Sequence, residues 1–334
     1  MAPPIYRIMT TSSDSGSVVL SIVIVNWHSA AFLEQCLHAI YRETKDLSFE
    51  VIVIDNATFD GSAEIVRRSF SEVRFIQSND NLGFSKGNNL AYRDARGEFV
   101  LFLNPDTEIL DGAIQKLVAC LQADPKAGVV GPKLLNTDQS IQTSCVQSFP
   151  TILNQAFDTE ILRRLFPHSS LWGVRSLYED QPGPAEVDVI SGASLMIRRE
   201  AFEAAGLFSS NYFMYAEDVD LCFKIHSAGW KVLYLGDAVV IHHGGQSSCK
   251  KAESNFAIVM NRESLYSFFV IRRGRLYAIA FRAITCVVAA VRLLLLGTLF
   301  VFSFGIHNKG LLPGAVRKWR SVFRWAVGLE SIAH

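Results

Sequence analysis

Four short apolar runs, each closed by Asn or Asp, most constrain what this chain can fold into. Val19 to Val25 ends in Asn26, Phe49 to Ile54 in Asp55, Val73 to Gln77 in Asn79 to Asn81, and Glu98 to Leu103 in Asn104-Pro105-Asp106. Between them the apolar residues take helical spacing, as at Phe32, Leu33, Cys36, Leu37 and Ile40, or at Ile65 and Val66 after Asp60-Gly61-Ser62. Such alternation predicts an α/β fold built on a doubly wound, mostly parallel sheet. All four carboxyl ends then share one edge, where open α/β sheets bind ligands. A ring of amides and carboxylates on that edge suits ribose hydroxyls, a base edge and a metal ion.

The ending at residues 104 to 106 is the sharpest. Proline has no N–H and a fixed φ, so the ladder stops at Pro105 and the side chains of Asn104 and Asp106 are held rigidly. A carboxylate so placed can accept a divalent cation, and the cation can hold a diphosphate. The same residues also read as ordinary turn chemistry. The turn from Asn81 to Asn89, which contains Gly83 and Phe84, opens a helix whose N–H groups can face an anion. No G-x-G-x-x-G follows the first strand and no Walker A sequence occurs, which argues against a dinucleotide fold and a P-loop NTPase.

A second polar constellation lies downstream. Val187 to Arg198 reads as a strand interrupted at Ser191-Gly192-Ala193, and a helix is expected from about Asp218 to Ala228. At its start, Glu217, Asp218 and Asp220 follow the aromatic residues Tyr212, Phe213 and Tyr215. The helix dipole explains one or two acids there. An adjacent pair beside aromatics has raised pKa values, which suits a general base. Val239 to Ile241 then leads into His242 and His243, and one imidazole with Asp106 leaves open positions on a cation for diphosphate oxygens.

The formal charge is zero, which gives no electrostatic reason to expect nucleic acid as a partner. Six cysteines without CxxC spacing read as small hydrophobes in a reducing compartment, not as a zinc site or a disulfide framework. Residues 1–18 lack the apolar core of a signal peptide and read as a loose tail. Gln139 to Pro184 is irregular and reads as a variable loop region over the cleft.

Together these motifs resemble glycosyltransferase family 2, and within it the bacterial rhamnosyltransferase-like branch. The matching stretches are Ile22 to Asn26, Val53 to Ser62, Asn81 to Asn89, Leu103 to Thr107, Gly192 to Met196, Glu217 to Leu221, Ala228 to Trp230, and His242 with Gly244, Gly245 and Ser247. The resemblance covers about residues 19 to 250. It implies a GT-A catalytic domain over residues 19–255 and inverting transfer of a sugar from a nucleotide diphosphate donor. It places Asn26, Asp55, Asn81, Gly83, Phe84, Asn89 and Asn104 around the nucleotide sugar, with Asp55 on the base or ribose. Asp106 and His242 would hold a divalent cation, Mg²⁺ or Mn²⁺. Asp218, with Glu217 beside it, would deprotonate the acceptor hydroxyl. Many relatives carry an aspartate where this chain has Asn104. The implied donor is dTDP-rhamnose and the acceptor a glycan or lipid-linked saccharide in cell-surface polysaccharide assembly. A non-catalytic sugar-nucleotide or glycan-binding subunit with the same fold is the alternative.

Residues 256–334 differ in kind. From Arg272 onward there are ten Lys or Arg and a single acid, Glu330, and Ala283 to Ile306 is almost wholly apolar around Arg292. This composition predicts amphipathic helices lying on an anionic membrane surface, hence a peripheral protein on the inner face of the plasma membrane. The apolar run is long enough for one span, although a central arginine opposes insertion. A helix of this kind also admits a homo-oligomer.

Overall fold

The computed structural model describes residues 6–8, 17–157, 169, 183–244, 255–302 and 311–331. The N-terminal half alternates strands and helices in the expected order: β1 (Tyr6–Ile8), β2 (Leu20–Asn26), α1 (Ala30–Glu43), β3 (Phe49–Asn56), α2 (Ser62–Ser69), β4 (Arg74–Ser78), α3 (Gly83–Tyr92) and β5 (Phe99–Leu103). β4, β3, β2 and β5 lie side by side and parallel. Each residue of β5 is buried, as a continuous apolar run covered on both faces requires. β1, within the stretch expected to be a loose tail, instead adds an antiparallel edge to β4.

Beyond β5 the sheet becomes mixed. The chain continues through β6 (Thr107–Leu110), α4 (Ala113–Ala123), β7 (Ala127–Leu135), β8 (Val146–Gln147), α5 (Ile152–Phe157), β9 (Ala185–Glu186), β10 (Val189–Ile190), β11 (Ser194–Arg198), α6 (Arg199–Ala204), α7 (Glu217–Ser227) and β12 (Lys231–His242). The main sheet runs β1-β4-β3-β2-β5-β11-β7-β12-β6, with β9 paired to β12 and a separate β10-β8 ribbon. The chain therefore leaves the sheet centre at Pro105 and re-enters it at the far edge as β6.

Two antiparallel registers set up everything that follows. β11 meets β5 with Ser194 opposite Leu103, and the Asn104 N–H donates to the Ala193 carbonyl at 2.9 Å. β12 meets β6 with His242 opposite Thr107. The first register carries Gly192 to the end of β5, and the second carries His242 to the residue beside Asp106.

Among the described residues three helices follow: α8 (Asn255–Arg273), α9 (Arg275–Phe302) and α10 (Leu311–Ala326). They pack on one another through buried Phe269, Phe281 and Trp325. They also pack on the sheet domain. Arg272 forks onto Asp220 of α7 with N···O distances of 2.6 and 3.0 Å, and the Ser264 hydroxyl donates to the Met214 carbonyl. The boundary expected at residue 255 is thus a change of secondary structure rather than a gap between bodies. Of the expected loop over the cleft, residues 158–168 and 170–182 lie outside the described residues, as do Gly245 and Ser247 of the histidine motif.

Candidate active site

The carboxyl edge of the sheet opens into a cavity of about 500 Å³. Asn56, Asn81, Gly83 and Phe84 form one part of its lining, and Asn104, Pro105 and His242 another. Gly192, Phe213, Tyr215, Glu217 and Asp218 belong to the same lining, which Phe256 of α8 completes. Residues that are far apart along the chain therefore meet in one hollow. Gly83 has φ of +70°, and a Cβ there would sit 2.4 Å from the Phe213 carbonyl oxygen, so only glycine lets α3 start against this loop.

Asn26, Asp55 and Asn89, expected around the nucleotide sugar, lie outside the residues that line this cavity. Asp55 is 1% exposed, and its carboxylate accepts from the Asn26 amide, the Thr58 and Phe59 N–H groups, the Thr58 hydroxyl and the Gln77 amide. It is committed to holding the turn after β3. Asn26 bridges that carboxylate to Ser62 at 2.8 Å each. Asn89 clamps Phe208, donating to its carbonyl at 2.8 Å and accepting from its N–H at 3.1 Å. The neighbour Asn56 lines the cavity instead; its amide donates to Asn81 Oδ1 and its Oδ1 accepts from the Leu82 N–H.

The acid cluster divides by helix geometry. Asp220 is fully buried, paired with Arg272 of α8 and hydrogen-bonded by Ser209 and Tyr212 from the segment before α7. Asp218 faces the cavity, accepting from the Gly192 N–H at 2.9 Å and the Val219 N–H at 2.8 Å. Glu217 is buried at the helix start, with Oε2 lacking a hydrogen-bond partner among the described residues. Burial, and then the charge of Asp218, drives the Glu217 carboxyl upward, while burial lifts Asp218 against the pull of its two N–H donors. The two carboxyls are adjacent and buried, so they titrate as a pair, each held above its ordinary value.

At the other group, His242 Nε2 lies 3.4 Å from Asp106 Oδ1 and 3.2 Å from the Asn104 amide nitrogen. Asp106 is 1% exposed and is not itself among the lining residues, although Pro105, its neighbour in the chain, and His242, its neighbour in space, are. His243 turns the other way, toward Thr137 and the Phe32 ring. A buried carboxylate and an imidazole nitrogen at this spacing fit the donor set of Mn²⁺ or Mg²⁺ whose remaining positions go to phosphate oxygens. Among the described residues no group of three or more His, Cys, Asp or Glu forms a closed cage.

The family model described as glycosyl transferase family 2 matches residues 21–206, which span β2 through α6 and most of the cavity wall. The chain belongs to glycosyl transferase family 2. Among its curated relatives, this glycosyltransferase is 28% identical over 267 residues to an N-acetylglucosaminyl-diphospho-decaprenol L-rhamnosyltransferase of Mycobacterium tuberculosis, covering 77% of this chain and 85% of the relative. It is 25% identical over 243 residues to rhamnosyltransferase WbbL of Escherichia coli, covering 69% and 87% of the two chains. The mannosyltransferase PcManGT from Pyrobaculum calidifontis, solved with GDP-Man and Mn²⁺, superposes with a TM-score of 0.55 at 18% identity over 94% of this chain and 88% of that one. That likeness supports a GT-A-like fold for the chain.

Proposed function

We propose that this glycosyltransferase moves a sugar, with L-rhamnose from dTDP-rhamnose as the first candidate, onto a hydroxyl of a glycan or lipid-linked saccharide in cell-surface polysaccharide assembly. The carrying observation is that Asp218 and the Asn104–His242 wall line one cavity. In this reading Asp218 takes the proton of the acceptor hydroxyl as the acceptor oxygen bonds to the anomeric carbon. The bond from that carbon to the donor phosphate breaks on the other face, and the nucleoside diphosphate leaves with the electron pair. The transition state is oxocarbenium-like, and the configuration inverts. Asp106 and His242 would hold the divalent cation, which when bound neutralises charge on the leaving diphosphate. Asn56, Asn81, Gly83 and Phe84 would seat the donor.

The test is a panel of nucleotide sugars, with and without Mn²⁺ or Mg²⁺, read by release of nucleoside diphosphate. Release from one donor, dependent on the cation, is expected. Donor binding without release from any of them would leave the non-catalytic subunit as the better reading.

We further propose that α9 seats the protein on an anionic membrane surface from the cytoplasmic side. Arg275–Leu299 has a mean hydropathy of 2.2 and is long and apolar enough to cross a membrane. Its two internal arginines turn inward: Arg282 donates to the Trp325 and Ala326 carbonyls, and Arg292 donates to the Ala156 carbonyl over the Trp319 ring. The outward stripe, with Leu276, Ile279, Val287, Val291, Leu294 and Leu299, carries no charge. Arg317, Lys318 and Arg320 are exposed on α10, which packs against the other face of this helix. A span would drag those cations into hydrocarbon, so the helix lies in the plane of the surface. Vesicles containing anionic lipid are expected to carry the protein upward in flotation at low salt, and the pair Val287→Glu and Leu294→Glu to leave it behind. Flotation unaffected by that pair would sink this placement.

A further inference from the structure

We infer that Gln142 is a positioning residue that fixes which nitrogen of His242 offers a lone pair to the cavity. The inference rests on the reading of His242 as a cation ligand. Gln142 lies within the segment from Gln139 to Pro184, where periodicity carries no information, and none of the family motifs includes it.

A line of hydrogen bonds runs back from His242 through the turn after β7, and its direction can be deduced from its far end. Asp138 is a carboxylate held ionised by the Ser140 hydroxyl and N–H, so it can only accept. The Ser140 hydroxyl therefore donates to Asp138 Oδ1 at 2.5 Å, and its oxygen accepts from the Asn136 amide at 2.9 Å. The Asn136 carbonyl is left to accept from the Gln142 amide at 3.1 Å. Gln142 then presents its own carbonyl oxygen to His242 Nδ1 at 2.8 Å. An amide oxygen cannot donate, so Nδ1 carries the proton. In the neutral ring Nε2 then holds the lone pair, 3.4 Å from Asp106 Oδ1 and 3.2 Å from the Asn104 amide nitrogen, which can donate into it.

Amide and imidazole orientations are open to reversal in principle, but here reversal fails. Flipping Gln142 and Asn136 would make the Asn136 carbonyl accept from Ser140, and the Ser140 oxygen would then face the Asp138 carboxylate at 2.5 Å with no hydrogen between them. The backbone locks the same turn: the Gln142 N–H donates to the Leu134 carbonyl and the Asn136 N–H to the Ser140 carbonyl. Outer partners of this kind orient histidine ligands and are worth about 10- to 100-fold in metal affinity.

The test uses the full-length protein labelled with ¹⁵N-histidine and freed of metal. His242 is assigned among the eight histidines by comparison with His242→Gln. Its spectrum is expected to show a protonated Nδ1 and an unprotonated Nε2. Gln142→Leu is expected to shift the ring toward the other tautomer and to weaken Mn²⁺ binding, measured by electron paramagnetic resonance with dTDP present, by about 10- to 100-fold. Gln142→Glu retains an acceptor at that atom and is expected to restore both. A protonated Nε2 in the unmodified protein overturns the inference whether or not any variant folds. So does a Gln142→Leu protein with unchanged tautomer and unchanged affinity. Should the unmodified protein not bind Mn²⁺ while the tautomer still responds to Gln142, the cation reading falls and the positioning role stands.

Discussion

Asp218→Asn is expected to fold and to lose sugar transfer by on the order of 10² to 10⁴ in rate, the usual contribution of a general base. At ~1.4 kcal/mol per decade this is roughly 3–5 kcal/mol of transition-state stabilisation. The change is nearly isosteric, and the new amide oxygen can still accept from the Gly192 N–H that now holds the carboxylate at 2.9 Å. Thermal unfolding should therefore move little while turnover collapses. Glu217→Gln is the matched control. Asp218, not Glu217, meets the Gly192 N–H in the cavity wall, so Glu217→Gln leaves the proposed base in place and should reduce the rate far less. Near-normal turnover of Asp218→Asn would remove that residue from the role.

The pH dependence follows from the same pair. Burial lifts Asp218 above the ordinary carboxylate range, so the rate should climb with pH as that group ionises. Stability runs the opposite way. The folded state holds the Glu217 proton more tightly than the unfolded chain does, because burial and the Asp218 charge raise its pKa. Its contribution is fully present below the unfolded value and is lost as pH rises through the folded one.

The second large effect is structural. Arg272→Met strands the Asp220 carboxylate, which is fully buried and takes both guanidinium bonds at 2.6 and 3.0 Å. Breaking one side of such a pair typically costs about 3–5 kcal/mol, because the remaining charge has no water to return to. Ser209, Tyr212 and Lys224 still contact Asp220, which places the expected loss toward the lower end. Urea titration of Arg272→Met, of Asp220→Asn and of the double variant closes a cycle. The double variant should be more stable than Arg272→Met alone. If Arg272→Met unfolds at the same urea concentration as the unmodified protein, α8 is not anchored through this pair.

The parallel half of the fold was legible because strands buried on both faces must read as unbroken apolar runs, and those runs were the strongest signal in the chain. The short β6 was not. Its four residues, Thr107–Leu110, precede α4 closely and make sense only once β12 lies beside them. Among the polar strand ends, residue type did not reveal orientation. Asn26 closes β2 as expected and Asp55 is the last residue but one of β3; their side chains hydrogen-bond to one another and to the turn after β3, while Asn56, which closes that strand, lines the cavity. The three acids at the start of α7 posed the same problem. Only the position of α8 distinguishes Asp220, a structural anchor, from Asp218. The same helix brings Phe256 into the cavity wall, a contribution that no local pattern announces.

Between Leu235 and Val239 of β12 the chain advances four residues while its parallel neighbour β7 advances one, from Pro132 to Lys133. The excess is an odd number of residues, so it inverts the parity of every side chain that follows, and the last of these is the imidazole beside Asp106. Had the detour through Gly236, Asp237 and Ala238 been one residue shorter, the adjacent histidine would occupy that phase and the first would look outward. A kink in the same strand, a short way upstream, thus acts as the frame-setter for the chemistry, and single-residue insertions there cannot be neutral in the way surface loops usually allow.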